Sequence, residues 1–95
     1  MSAVLTFEWD DVKNAANIVK HGISFERAVI VFGHRHRMEI DATHAIDAEV
    51  RHKIVAPIEG RLFTVVFTLR GTAIRVISAR RSNKREERAY GNRPL

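Results

Sequence analysis

The most regular stretch of the chain is residues 60–81, GRLFTVVFTLRGTAIRVISARR, where two β-branched and aromatic runs flank Arg70-Gly71. Runs at 62–69 and 72–79 around such a turn predict a β-hairpin. Odd positions of the first run, Phe63, Val65, Phe67 and Leu69, are all apolar, whereas Leu62, Thr64, Val66, Thr68 and Arg70 are mixed. In the second run Ile74, Val76 and Ser78 alternate with Ala73, Arg75, Ile77 and Ala79. Such alternation predicts one buried face and one partly wet face. Arginine marks the hairpin at positions 61, 70, 75, 80 and 81. In an unbroken strand Arg80 shares a face with Ile74 and Val76, away from Arg75. A bulge or strand end at Ala79 is needed to bring it round.

Upstream, a short strand over 4–9 is ended by Asp10-Asp11, and Asp10 is placed to cap a helix. Val12, Ala15, Ala16 and Val19 then fall at i, i+3, i+4 and i+7, one apolar stripe. Lys20-His21-Gly22 carries the basic residues and glycine of a helix stop. Ser24 caps a second helix with Phe25, Ala28, Val29 and Phe32 on its apolar side, ended by Gly33. Helices this short need burial against something larger, and the hairpin is the expected support.

Residues 37–42 form the next expected strand, with Met38 and Ile40 opposing Arg37, Glu39 and Asp41. A polar connection over 42–48 leads to a strand over 49–58. There Val50, Ile54, Ala56 and Ile58 oppose Arg51, Lys53 and Val55, with Pro57 at an end or on an edge. Glu59-Gly60 turns into the hairpin. Residues 82–90 are helix formers with a Ser82/Asn83 cap and Glu86 completing a loose capping box. With only Ala89 and Tyr90 apolar, this helix is expected to be solvated and to touch the body along a narrow edge, before a frayed tail over 91–95. The order β-α-α-β-β-β-β-α predicts a single α+β domain spanning 1–95. Its antiparallel sheet has two N-terminal helices on one face and is followed by a C-terminal helix.

Composition sharpens this picture. A chain of 95 residues has room for one core, and sixteen Lys+Arg against eleven Asp+Glu leave a net charge of +5. Twelve of those cations are arginine, whose planar fork pairs with phosphate, although a generally basic surface needs no partner. Without cysteine there is neither a disulfide framework nor a zinc–thiolate site. No export signal and no run of membrane-spanning length is visible, so a soluble cytoplasmic protein without membrane contact is expected.

If the helices cover Phe63, Val65 and Phe67, the opposite face collects Thr64, Thr68, Arg70 and Arg75 from the hairpin. Arg51 and Lys53 join from the neighbouring strand, with Glu39 from the strand before. Such a cationic surface with interspersed hydroxyls suits a phosphate backbone. Solvated charges facing water are the plainer explanation. Like charges side by side cost stability unless neutralised, which favours a polyanionic ligand. Trp9 and Tyr90 are the aromatics available for base stacking, and Trp9 fits a core equally well. Lys20-His21 is a second chemical candidate, because a helix C-terminus favours protonated histidine; both residues also serve as a plain helix stop. His34, His36, His44 and His52 match no metal-ligand spacing, so neither metal nor other cofactor is expected.

Taken together, Phe7-Glu8-Trp9-Asp10, Lys13, Asn17, Lys20-His21-Gly22-Ile23-Ser24-Phe25, Ala28, Val31-Phe32, Asp41, His44 and Glu49-Val50-Arg51 form an ordered series. It continues through Gly60-Arg61-Leu62, Val65-Val66, Thr68, Arg70-Gly71, Ile74 to Arg80, Glu87 and Tyr90. The series resembles the BrnT family, toxins of type II toxin–antitoxin modules. Departures fall at His34-Arg35-His36-Arg37, where the family often has Asp-Pro, at Ala56-Pro57 in place of Ile-Gly, and at Ser82-Asn83 in place of Ala-Thr. The resemblance implies a RelE-like fold, metal-independent endoribonuclease activity and growth arrest through blocked translation. It also implies a partner, BrnA, a ribbon-helix-helix antitoxin that forms a heterotetramer with the toxin and contacts operator DNA.

Metal-free RNA cleavage is in-line attack by the ribose 2′-OH, needing a base, cations for the phosphorane and an acid for the leaving 5′ oxygen. For these roles the expected residues are Arg51, Arg70 and Arg80 with Lys20 for charge, and His21 for acid–base work. Glu49 is a further base candidate that an arginine can equally occupy. Lys53, Arg61 and Arg75 are the expected RNA contacts. A non-catalytic RNA-binding module, or a subunit whose basic surface serves only to hold an acidic antitoxin, uses the same face.

Overall fold

The computed structural model describes residues 5–43 and 49–94. Within them β1 (Thr6–Glu8), α1 (Asp11–His21) and α2 (Phe25–Ala28, continued as a 3-10 turn over Val29–Gly33) precede β2 (Met38–Asp41) and β3 (His52–Ile58). β4 (Arg61–Arg70), β5 (Ala73–Arg81) and α3 (Lys84–Gly91) complete the chain. The element order is the expected one and the fold is α+β. His44 and most of the 42–48 connection lie outside the described residues.

The five strands form one sheet in the order β1-β5-β4-β3-β2. β5, β4, β3 and β2 are antiparallel, and β1 adds to β5 in parallel, so the sheet is mixed rather than wholly antiparallel. Parallel neighbours need a long connection, and β1 and β5 are separated by most of the chain. The β3–β4 turn is the two-residue loop Glu59-Gly60, with φ of 51° and 80°. Positive φ at both positions gives the type I′ geometry that matches strand twist. Opposite Val66 and Phe67 the register slips, since Val66 faces Ser78 but Phe67 faces Val76. Ile77 is therefore the extra residue of a bulge.

Phe25, Ala28 and Val31 are fully buried against Ile54, Val65, Phe67 and Val76, so α2 and its 3-10 extension cover the helix-side face as the pattern required. Trp9 is half-buried and packs edge-on against Phe25 of the core. α1 overturns its expectation. Val12 is 79% exposed and Val19 89%, and Ala15 and Ala16 also face solvent, while Asn17 is buried at 7%. The helix thus docks by its polar side.

The reason lies at the edge of β5. β1 pairs only with Ala73–Arg75, which leaves the later half of β5 open on that side. The Asn17 side-chain amide closes this gap like a short strand: its Oδ1 accepts from Ala79 N (3.2 Å) and its Nδ2 donates to Ala79 O (2.9 Å) and Ile23 O (2.9 Å). Asn14 Oδ1 accepts from Phe25 N at 2.9 Å, tying α1 to α2. An unpaired buried backbone group costs about 1–3 kcal/mol, comparable to burying one valine, so several such groups outweigh a modest stripe of two valines and two alanines. At the helix ends, Asp10 Oδ1 accepts from Lys13 N, which holds the Asp10 carboxyl below its ordinary range, and Gly22 closes the helix at φ 72°.

Asn17→Ala is expected to lower stability by about 3 kcal/mol, because Ala79 and Ile23 lose their partners. Val19→Ser should change it by less than about 0.5 kcal/mol. Urea unfolding of the two variants distinguishes this polar docking from apolar docking, for which the order would be reversed.

Candidate nucleic-acid interface

The sheet face opposite α2 carries Lys53 and Val55 from β3, Thr64, Val66, Thr68 and Arg70 from β4, and Arg75, Ser78 and Arg80 from β5. The Ile77 bulge settles where Arg80 points. It places Arg80 across from Thr64 and Arg75 across from Thr68, both on this face, while Ile74, Val76 and Ala79 join the core. Arg81 goes to the helix side, where its guanidinium lies 5.9 Å from the Phe63 ring centroid.

The face is not open. α3 lies over its lower half, and the helix expected to be solvated is anchored by Glu86, only 3% exposed. Asn83 caps α3 in a full capping box, its Oδ1 accepting from Glu86 N at 2.8 Å while Glu86 Oε1 accepts from Asn83 N at 2.9 Å. The same carboxylate accepts from Arg80 Nη1 (2.7 Å) and Nη2 (2.9 Å), Lys53 Nζ (2.9 Å) and Thr64 Oγ1 (3.0 Å). Thr64 in turn shares a 2.8 Å hydrogen bond with Ser82. Burial alone would push the Glu86 carboxyl up, but Arg80, the Asn83 N–H, Lys53 and Thr64 together hold it far below its ordinary value. The Arg80 guanidinium is raised by its bonds to Glu86.

Farther up the same face, Arg70 pairs with Glu49 at 3.5 Å and Arg75 with Glu8 at 3.6 Å. Thr68 Oγ1 donates to Val50 O at 2.6 Å. Arg51 sits one residue before β3, its backbone N donating to Thr43 Oγ1 and its carbonyl accepting from Ala42 N. Three carboxylates, Glu8, Glu49 and Glu86, thus offset part of the charge of the cations on this face, which weakens the argument from unrelieved repulsion. Glu39 does not join this face; it falls on the helix side near Arg37 (3.8 Å).

Three of the expected residues lie elsewhere. Arg61 faces the helix side at the β3–β4 turn, lining a shallow cleft with Arg27 and Glu59. Lys20 and His21 end α1 beside β5, Lys20 exposed and His21 half-buried, and neither makes a side-chain hydrogen bond or ion pair among the described residues. What the structure does bring together is Lys53 and Arg80. With Arg85, Asn83, Asp41 and Thr43 they line an open cleft of about 480 Å³ between β2, β3 and α3. Glu86 forms its floor. The sequence pattern showed Glu86 only as a cap residue; its burial under a polar helix was not visible there.

A small basic α+β domain, with cations fixed around a polar cleft, is the make-up of a protein that handles a phosphorylated polyanion. Residues 9–86 match the family described as ribonuclease toxin, BrnT, of type II toxin-antitoxin system, and the chain belongs to that family. Comparison with curated proteins gave no match. Membership makes the chain a ribonuclease toxin with RNA as substrate and an antitoxin as partner. No helix among the described residues is long and apolar enough to cross a membrane.

Glu86 also sets a pH dependence. A carboxyl with a depressed native pKa contributes stability that is full above its ordinary value of 4.5 and is lost as pH falls below it. At neutral pH Glu86→Gln is expected to cost about 3 kcal/mol, since Arg80 and Lys53 lose their counter-ion. The gap to the wild type should narrow steadily below about pH 4.5. Denaturant midpoints at neutral and acid pH check this; a gap that stays constant would contradict it.

Proposed function

We propose that this toxin cleaves RNA internally without a metal, by in-line attack of the ribose 2′-OH on the adjacent phosphate, and so halts translation in the cytoplasm. The observation that carries this reading is the cleft in which Glu86 fixes Lys53 and Arg80 beside Arg85. A bidentate carboxylate holds the Arg80 fork in one orientation, which reduces the ordering needed when phosphate arrives. Lys53 Nζ gives one bond to Glu86 and keeps other donors for a second acceptor.

In this mechanism Arg80 with Lys53 stabilises charge on the phosphorane. Arg70, Arg75 and Arg51 continue the cationic track along the strands, and Thr68–Arg75 lies four strand residues from Thr64–Arg80, roughly 13 Å. That separation lets one RNA strand meet both groups. His21, beside Lys20 at the end of α1, is the proposed acid for the leaving 5′ oxygen, with Arg61 as an outlying contact. Glu49 pairs with Arg70, six strand residues or roughly 20 Å from the Thr64–Arg80 pair, so it orients Arg70 on the cationic track and is not within reach of a 2′-OH beside the phosphate at Arg80 and Lys53. Neutralisation is by a ribbon-helix-helix antitoxin that assembles with the toxin as a heterotetramer and carries the operator-DNA contact.

Purified protein incubated with mRNA in excess EDTA should yield fragments ending in 2′,3′-cyclic phosphate. His21→Ala and Arg70→Ala alter exposed or half-buried groups and should leave folding intact while slowing cleavage at least tenfold, within the range of about 10²–10⁴ typical of acid–base catalysis. RNA binding without cleavage by the wild type would instead establish a non-catalytic module.

A further inference from the structure

The outward side of α1 has no role in the fold or in RNA cleavage. Val12, Ala15, Ala16 and Val19 form a continuous apolar stripe about two turns long, exposed because Asn14 and Asn17 hold the helix from its other side. Its borders are unlike. At i and i+7, Lys13 and Lys20 fall on one border, and Asp11 and Ile18 fall on the other. All four are exposed.

We infer that this stripe is the docking surface for the antitoxin, which lays on it an amphipathic helix whose apolar residues meet Val12 and Val19 and whose acidic border meets Lys13 and Lys20. The inference rests on the family's antitoxin partner. Anchors at i, i+3, i+4 and i+7 are the geometry by which one helix receives another. The two lysines supply the charge complementarity that selects an acidic segment over a neutral one. They also argue against a second copy of this chain, because antiparallel two-fold packing of the stripe on itself would bring the lysine borders together. A helix seated there covers Lys20 on the border of the stripe, whereas His21, four residues after Asn17, lies on the inward side of α1.

The test uses the full chain and the purified product of the reading frame adjoining its gene, with affinity measured by calorimetry and self-association by sedimentation. Val12→Glu and Val19→Glu change exposed side chains outside the RNA-cleaving groups. Each is expected to weaken the complex roughly 30-fold or more, the range of an interface hot spot. RNA cleavage by the isolated variants should match the wild type, and co-expression should no longer rescue growth. Lys13→Glu should weaken binding about tenfold and flatten its salt dependence. Wild-type affinity in both valine variants would overturn the docking surface while leaving the antitoxin reading standing. Reduced self-association with antitoxin binding intact would overturn it in favour of contact between copies. Failure of the wild-type chain to bind that product at all would overturn the antitoxin reading and the docking surface with it.

Discussion

A single desolvated carboxylate governs the sheet face opposite α2. Glu86 can be buried only because five donors reach its two oxygens: both Arg80 nitrogens, Lys53, Thr64 and the Asn83 N–H. Taking such a charge out of water costs several kcal/mol, and only a complete set of partners offsets it. That requirement fixes three things together. It decides where α3 lies, although α3 has almost no apolar side chain to bury. It decides which way the Arg80 fork points. It also creates the Lys53–Arg80 cleft, whose cations are held in place before any ligand arrives. On this face the element that stabilises the fold and the element that prepares the proposed RNA site are the same.

The other organising constraint is the short reach of β1. Because it covers only Ala73–Arg75, the chain must find another partner for the β5 edge at Ala79, and Asn17 provides it. Closing the edge with a side-chain amide removes an open ladder that could pair with another chain. The consequence is an inverted helix, polar side in and apolar stripe out. That outward stripe is the surface proposed to receive a partner helix.

Much of the fold was legible in the sequence. Period-two alternation over 62–69 and turn chemistry at Glu59-Gly60 and Gly71 specify β4 and its neighbours, and the caps at Asp10, Ser24 and Asn83 mark all three helices. What was not legible depended on tertiary context. The Ile77 bulge has no glycine or charge to announce it, yet it alone moves Arg80 onto the same face as Arg75. The α1 stripe has a flawless helical period, but periodicity reports a face and not which way it turns; the unpaired groups at Ala79 made that choice. Of the candidate site, Lys53, Arg70 and Arg75 fell on the face expected from alternation, whereas Arg80 reaches it only through the bulge. An arginine partner for Glu49 was expected, but the pairing of Arg75 with Glu8 and of Lys53 with Glu86 joins distant positions and leaves no local signature.

The central claim is that phosphate meets the cations fixed by Glu86. It is tested most directly by NMR of the side-chain nitrogens of Arg80, Arg85 and Lys53 during titration with an RNA oligonucleotide carrying 2′-deoxy substitutions, which binds but cannot be cleaved. The account predicts that these three sets of resonances shift together and saturate with a single affinity, which weakens as salt is raised. Saturable binding that leaves all three unmoved, with shifts confined to other parts of the surface, would contradict it.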